Sequence, residues 1–372
     1  MSKSVTKCIG ILTAGGDCPG LNAAIRGVGK AALGQYGIQV VGISAGFDGL
    51  INNQTRMLTE EDFSGILTRG GTILGSSREK PFAKRSPEDV SGDKPAIIVE
   101  NYRKLHLDCL VCLGGNGTQT TAYRLSQLGL NVIGLPKTID NDLEETDVSF
   151  GFYSAVDIAT EAIDRLHTTA HSHNRIMVVE IMGHKAGWLA LNSGVAGGGD
   201  VILIPEIPYD PKIIAEHILD RERRGKQFSI VAVAEGALSV EEAKEREKAR
   251  EKRKHKNRKK DKEESPPTYL SAGYRVAEKL RELCDIDTRV TVLGYLQRGG
   301  SPSPFDRLMA TRFGTEAVRL LAKGKYNRMV VYKGGEVTNV PIEKVAGRTK
   351  LVPPDHELIH CGRLVGTCFG DR

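Results

Sequence analysis

The chain has 372 residues, 40% of them apolar, which is enough for more than one compact core and too many for a disordered chain. The formal net charge is +6, but residues 241–264 hold 12 Lys/Arg and 8 Asp/Glu, and without them 40 basic residues face 38 acidic ones, so the body has no polyanion-binding character and nucleic acid is not an expected partner. No run approaches the ~18–20 apolar residues of a membrane span, and seven cysteines without a framework point to a reducing, cytoplasmic setting.

The first apolar run, 8–13, predicts a strand. It ends in "AGGDCPG", and a helix is expected to start near Gly20. The amino terminus passes straight from "IGIL" into Gly-Gly-Asp and does not read as a signal peptide. Runs at 39–44 and 108–113 predict two more strands, the second ending in "GGNGT" with Asn116 at the tip of the turn. Cys109 and Cys112 lie inside that apolar run and read as buried strand residues, because a zinc site would want a second pair. A fourth strand, 131–135, ends in "PKTIDND".

In residues 155–166, Ala155, Val156, Ile158, Ala159, Ala162, Ile163 and Leu166 share one 3.6-period stripe and predict a helix. His167, His171 and His173 follow where that helix should end; they read as helix-end residues, since no carboxylate or cysteine completes a metal set. Strands are expected at 176–182, 200–204, 228–234 and 289–294, with weaker ones at 329–333 and 337–341. Trp188 reads as packing. Residues 241–264, charged at almost every position and without an aromatic, read as a solvated helix or disordered loop inserted between core elements, with a site for an anionic partner as the alternative. Strands alternating with helices define an α/β chain whose mostly parallel sheets are covered on both faces, with ligands at the carboxyl ends of the strands.

The chemistry-bearing residues cluster at those strand ends. Two glycine-rich turns, at Gly15-Gly16 and at Gly114-Gly115-Asn116-Gly117-Thr118, feed helix starts, where backbone N–H groups and the helix dipole suit phosphate. Neither has GxGxxG spacing and no GxxxxGK[ST] is present, which excludes the common dinucleotide turn and the P-loop. Thr138, Asp140 and Asp142 stand within five residues, so one carboxylate can take a hydroxyl proton while the other helps hold a metal against phosphate. Arg78, Arg175, Arg289 and Arg298 each stand beside a strand end or a Gly/Ser turn, where a guanidinium can fork onto phosphate oxygens.

Together "GGDCPGLNAAIRG", "GGTILGSSR", "PKTIDND", "FGFYSAV", "SHNRIMVVEIMG", "IPE", "VAEGA" and "LGYLQRGGSPSPFDR" strongly resemble the phosphofructokinase family, over about residues 7–345. The wording "PKTIDND" and "KAGWLAL" looks like its mixed-substrate branch, which holds ATP-using and pyrophosphate-using members. The resemblance implies two Rossmann-like three-layer α/β/α domains. Residues 1–151 with about 297–347 would bind the phosphoryl donor, and residues 152–296 with about 348–372, carrying the insertion, would bind the sugar phosphate. It also implies a glycolytic activity: Mg²⁺-dependent phosphoryl transfer from ATP to the C1 hydroxyl of fructose 6-phosphate, giving fructose 1,6-bisphosphate. A pyrophosphate-dependent enzyme and a catalytically weak regulatory paralogue are the alternatives.

The resemblance assigns roles. Asp140 is the expected base, flanked by Thr138 and by Asp142, which would help hold the metal. Gly15 and Arg78 touch the transferred phosphate. Gly115, Asn116, Gly117, Thr118 and Lys137 complete the donor site. Met182, Gly183, His184, Glu235, Tyr295 and Arg298 contact the sugar phosphate. Arg175 and Arg289 reach it from a neighbouring subunit, which requires an oligomer, a homotetramer or homodimer. Three positions depart from the family: Asn116 where an Asp near Mg²⁺ is usual, His184 where an arginine is usual, and Tyr295 where a histidine is usual. Asn116 keeps an oxygen for the metal but loses the charge. Gly117 is the open form found in ATP users, whereas Lys137 is the residue pyrophosphate users carry, though ATP users of this branch carry it too; an absent block outweighs an added attraction, so ATP is the expected donor, with pyrophosphate a weaker one.

Overall fold

The computed structural model describes residues 5–83, 93–255 and 271–372. The chain forms two compact units, Met1–Ala155 with Arg298–Lys350 and Val156–Gln297 with Leu351–Arg372.

The first unit opens with β1 (Cys8–Thr13), α1 (Leu21–Ala31), β2 (Gln39–Ile43), α2 (Gly46–Ile51) and β3 (Thr55–Leu58). It continues through α3 (Lys94–Lys104), β4 (Cys109–Gly114), α4 (Asn116–Ser126) and β5 (Val132–Pro136). Helix α5 (Phe152–His173) leads into the second unit, which holds β6 (Ile176–Ile181), α6 (Trp188–Ala196), β7 (Val201–Leu203), α7 (Pro211–Arg223), β8 (Ser229–Ala234), α8 (Val240–His255), α9 (Ala272–Leu283) and β9 (Thr288–Val292). The chain returns to the first unit with α10 (Pro304–Ala322), β10 (Arg328–Lys333) and β11 (Glu336–Pro341), and ends in the second with α11 (Glu357–Leu364). Within the charged segment, 241–255 belongs to α8, and residues 256–264 lie outside the described residues.

The first sheet has the order β11-β10-β5-β4-β1-β2-β3. Its five inner strands are parallel and its two edge strands antiparallel. The second sheet, β7-β8-β6-β9, is parallel throughout. Strands β4, β5, β6 and β8 are buried along their whole length, which is why they read as continuous apolar runs. Cys109 and Cys112 are fully buried in β4. Edge strand β3 was not expected from the sequence: only Leu58 of "TRML" is buried, so its place is set by backbone pairing with β2. Helix α5 extends three residues before and seven beyond the expected 155–166, and His167 and His171 close its end against Phe228, at ring distances of 5.7 and 5.9 Å. Trp188 opens α6 and packs edge-on against His356 at 5.0 Å.

Helix α1 leaves the first glycine turn through Gly20, whose φ of 101° is a conformation that glycine tolerates at least cost. It packs on α10 with almost no space between the backbones: a methyl group on Gly314 would lie 2.8 Å from both the Ala24 carbonyl oxygen and the Val28 nitrogen. Gly314→Ala is therefore expected to destabilise the chain by about 1–3 kcal/mol, read by denaturant unfolding. An unchanged midpoint would mean that the two helices can part without cost.

Candidate active site

In the first unit, three neighbouring strands end where the expected residues lie. At the end of β1, Gly15 adopts φ 86°, and its N–H donates to the Ser77 carbonyl at 2.8 Å while Ser76 Oγ donates back to the Gly15 carbonyl at 2.6 Å. This places the exposed Arg78 beside the turn. Lys137 is buried beneath it and donates through Nζ to the Gly16 carbonyl; burial holds its pKa down. The Arg298 guanidinium covers the other side. Its Nη1 donates to the Asp17 carbonyl at 3.0 Å and would lie 2.7 Å from a Cβ on Gly16, so a side chain there would push the guanidinium aside. The Arg298 Nε is buried and has no hydrogen-bond partner among the described residues.

At the end of β4 the bare turn has a steric cause. A Cβ on Gly114 would lie 2.1 Å from Thr118 Oγ1, and that hydroxyl donates to the Ala14 carbonyl at 3.3 Å, tying the β4 turn to the β1 turn. Gly115 is extended rather than left-handed. Asn116 is not at the tip of a loop, as expected from the sequence, but is the first residue of α4, because the helix begins directly after Gly115. A Cβ on Gly117 would meet nothing within 4 Å.

At the end of β5, Thr138 Oγ1 accepts the Asp140 N–H at 3.1 Å. Buried Asn141, at φ 49°, accepts the Ser149 N–H at 2.9 Å and donates to the Asp147 carbonyl at 3.1 Å. The loop thus folds around Asn141 and leaves Asp140 and Asp142 half-buried to either side of it. A segment absent from the sequence reading adjoins it. Lys350 donates through its backbone N–H to the Asp142 carbonyl at 2.9 Å and through Nζ to the Thr146 carbonyl at 2.8 Å, and burial pulls its pKa down to about 8 against the raising fields of Asp147, Asp142 and Glu144.

In the second unit, Met182 and Gly183 follow β6 and Glu235 follows β8, its neighbour. Gly183 has φ 137°, and a Cβ there would lie 2.8 Å from the Ala186 carbonyl oxygen. The Glu235 N–H donates to the Ile181 carbonyl at 2.8 Å, and Gly236 N–H to the Gly183 carbonyl at 3.2 Å. Two positioning residues were not singled out from the sequence. Fully buried Gln297 accepts the Met182 N–H at 3.3 Å, and Glu206 accepts the N–H groups of Gly187 at 2.9 Å and Val352 at 2.9 Å. Burial raises the Glu206 pKa, while those N–H groups oppose the rise. His184, Glu235 and Tyr295 are exposed.

Arg175 and Arg289 stand at the other edge of the same sheet, Arg175 just before β6 and Arg289 near the start of β9. Asp287 holds both: Arg175 Nε donates to Oδ2 at 2.7 Å, and Arg289 Nη1 donates to Oδ1. Arg175 and Met182 are separated by the length of β6, roughly 20 Å at ~3.3 Å per residue.

Glycine turns on neighbouring strand ends, a buried lysine and a carboxylate loop make a phosphate-handling α/β enzyme. The phosphofructokinase family model matches residues 8–321. An ATP-dependent 6-phosphofructokinase of Spirochaeta thermophila is 62% identical, with the whole of both chains covered. ATP-dependent 6-phosphofructokinase 3 of Bacteroides thetaiotaomicron is 52% identical over 97% of this chain and 99% of that one. Among solved structures, the Pichia pastoris phosphofructokinase in the T-state superposes with a TM-score of 0.77 and 31% identity, covering 91% of this chain and 35% of that one. The chain belongs to the phosphofructokinase family, and it is a phosphotransferase.

Phosphoryl transfer in this family calls for a divalent cation. The residues present fit a cation that arrives with the donor's phosphates. Asp142 would supply one carboxylate, and no group of three metal-ligating side chains exists among the described residues. None of the described helices is long and apolar enough to cross a membrane.

Proposed function

We propose that the chain is a cytoplasmic, ATP-dependent 6-phosphofructokinase that transfers the terminal phosphoryl group of ATP, as its Mg²⁺ complex, to the C1 hydroxyl of fructose 6-phosphate. The observation that carries this reading is the convergence of the Gly15, Gly114 and Thr138–Asp142 turns on the ends of three adjacent strands, β1, β4 and β5. The relatives named ATP-dependent 6-phosphofructokinase support the donor and the acceptor.

The residue roles are those the family resemblance implies, and the placement of the strand-end residues supports them. Gly115, Gly117 and Thr118 offer the backbone N–H groups of the α4 start to the donor's phosphates, Gly15 keeps the β1 turn bare beside them, and Arg78 and Lys137 flank that turn. Asp140 takes the proton as the C1 oxygen forms its bond to phosphorus and ADP leaves. Thr138 holds the Asp140 backbone through a 3.1 Å bond. Asp142 would hold Mg²⁺ together with the donor's phosphates, and the ion would supply charge neutralisation for phosphoryl transfer. The buried, unpartnered Nε of Arg298 is a donor suited to a phosphate oxygen. Met182, Gly183, His184, Glu235 and Tyr295 line the acceptor's side.

Arg175 and Arg289 lie too far from Met182 along β6 to serve the same site of one chain. They serve the site of a partner subunit, so the working enzyme is a homodimer or homotetramer. Asp140→Asn and Arg175→Ala subunits, each nearly inactive at low fructose 6-phosphate, should complement one another when mixed and reassembled. Random pairing makes about a quarter of the sites intact, and activity should rise towards that level. A mixture no more active than its better component contradicts the shared site.

A further inference from the structure

The segment after β11 was given no role by the family resemblance. It runs Gly347-Arg348-Thr349-Lys350 and is tied down at both ends. At one end, the Gly347 N–H donates to Thr120 Oγ1 at 2.9 Å, and that hydroxyl donates to the Asn116 carbonyl at 2.8 Å. The Asn116 side-chain amide donates to the Arg348 carbonyl and to Thr349 Oγ1, the latter at 3.1 Å. At the other end, Lys350 is bonded to the loop after β5, through the Asp142 carbonyl at 2.9 Å, Thr146 at 2.8 Å and Asp147 at 3.2 Å. Buried Val345 and Ile342 anchor the chain just before it. The result is a strap from the first turn of α4 to the carboxylate loop, across the ends of β4 and β5. It brings exposed Arg348 to the helix start where an acid is usual in the family.

We propose that Asn116 is a positioning residue: its amide fixes this strap against the first turn of α4, and the strap, not a bond from Asn116 to the metal, sets how tightly the donor nucleotide is held. The inference rests on the donor-site reading above. An amide can serve at position 116 where a carboxylate cannot. A carboxylate has no N–H for the Arg348 carbonyl and would set its negative charge against that oxygen. Asn116 and the strap therefore act as one unit. The nucleotide binds to a wall of backbone and cationic side chains even when no metal accompanies it.

The test is calorimetric binding of ADP, in EDTA and in Mg²⁺, to the intact protein and to Thr349→Val, Asn116→Asp and the double variant. Thr349→Val removes one acceptor of the amide without changing charge. It should weaken ADP about three- to tenfold in EDTA as well as in Mg²⁺, the usual effect of losing one such bond. Asn116→Asp should weaken ADP at least as much in both buffers, and the double variant should be no worse than Asn116→Asp alone, since both cut the same tie. Thr120→Val, which cuts the Gly347 tie, should act in the same direction if either first variant fails to fold. Wild-type affinity in Thr349→Val and Thr120→Val overturns the proposal. So does Asn116→Asp binding ADP more tightly than wild type in Mg²⁺, which would make position 116 a metal position. Absence of ADP binding to the wild-type protein would instead sink the donor-site reading itself.

Discussion

Asp140→Asn is expected to lower turnover by ~10²–10⁴-fold while shifting the Michaelis constant for fructose 6-phosphate far less. The substitution keeps the side chain's size and removes only the proton acceptor. The loop is held by other groups: the Asp140 N–H is bonded by Thr138 Oγ1, and the turn is built on buried Asn141 and Ser149. The variant should fold as the wild type does, so the loss can be read as chemistry. Turnover above about a third of wild type would remove Asp140 from the role of base.

Gly117→Asp is expected to cost ATP-driven catalysis at least ~10²-fold and to harm any pyrophosphate-driven reaction much less. A side chain at 117 has open space before it, and it lies one residue into α4, where the donor's phosphates would meet the helix start. A carboxylate ~4 Å from a phosphate oxygen costs about 4 kcal/mol at the effective dielectric of a protein surface. An acidic residue in the first helical turn is itself favourable, so the fold should not suffer. Lys137, buried with Nζ bonded to the Gly16 carbonyl, would attract the phosphates of either donor and exclude neither. Equal losses with both donors would show that position 117 does not discriminate between them.

The expected strands correspond closely to the observed ones because central parallel strands are buried on both faces and write themselves as apolar runs, as in "CLVCL" and "IMVVEI". The turns were legible because glycine clusters have few other uses at such places, and Gly15 and Gly114 are indeed required, one by its φ and the other by Thr118. Edge strand β3 was hidden, since its residues face solvent and its order comes from β2. Asp287, Gln297, Glu206 and the 347–350 strap were hidden for another reason. Each acts on a partner distant in sequence or joins two others, and a lone Asp, Gln or Glu near a strand gives no local pattern. Asn116 was legible as a departure from the family, but what it departs towards became visible only with Arg348 and Thr349 beside it.

The central claim is ATP-dependent phosphorylation of fructose 6-phosphate. Its most direct test is the purified chain with fructose 6-phosphate and Mg²⁺, with fructose 1,6-bisphosphate measured as ATP and pyrophosphate are varied in parallel. The account predicts a higher kcat/KM with ATP, and one ADP formed for each bisphosphate. A higher kcat/KM with pyrophosphate, or no bisphosphate with either donor, would contradict it.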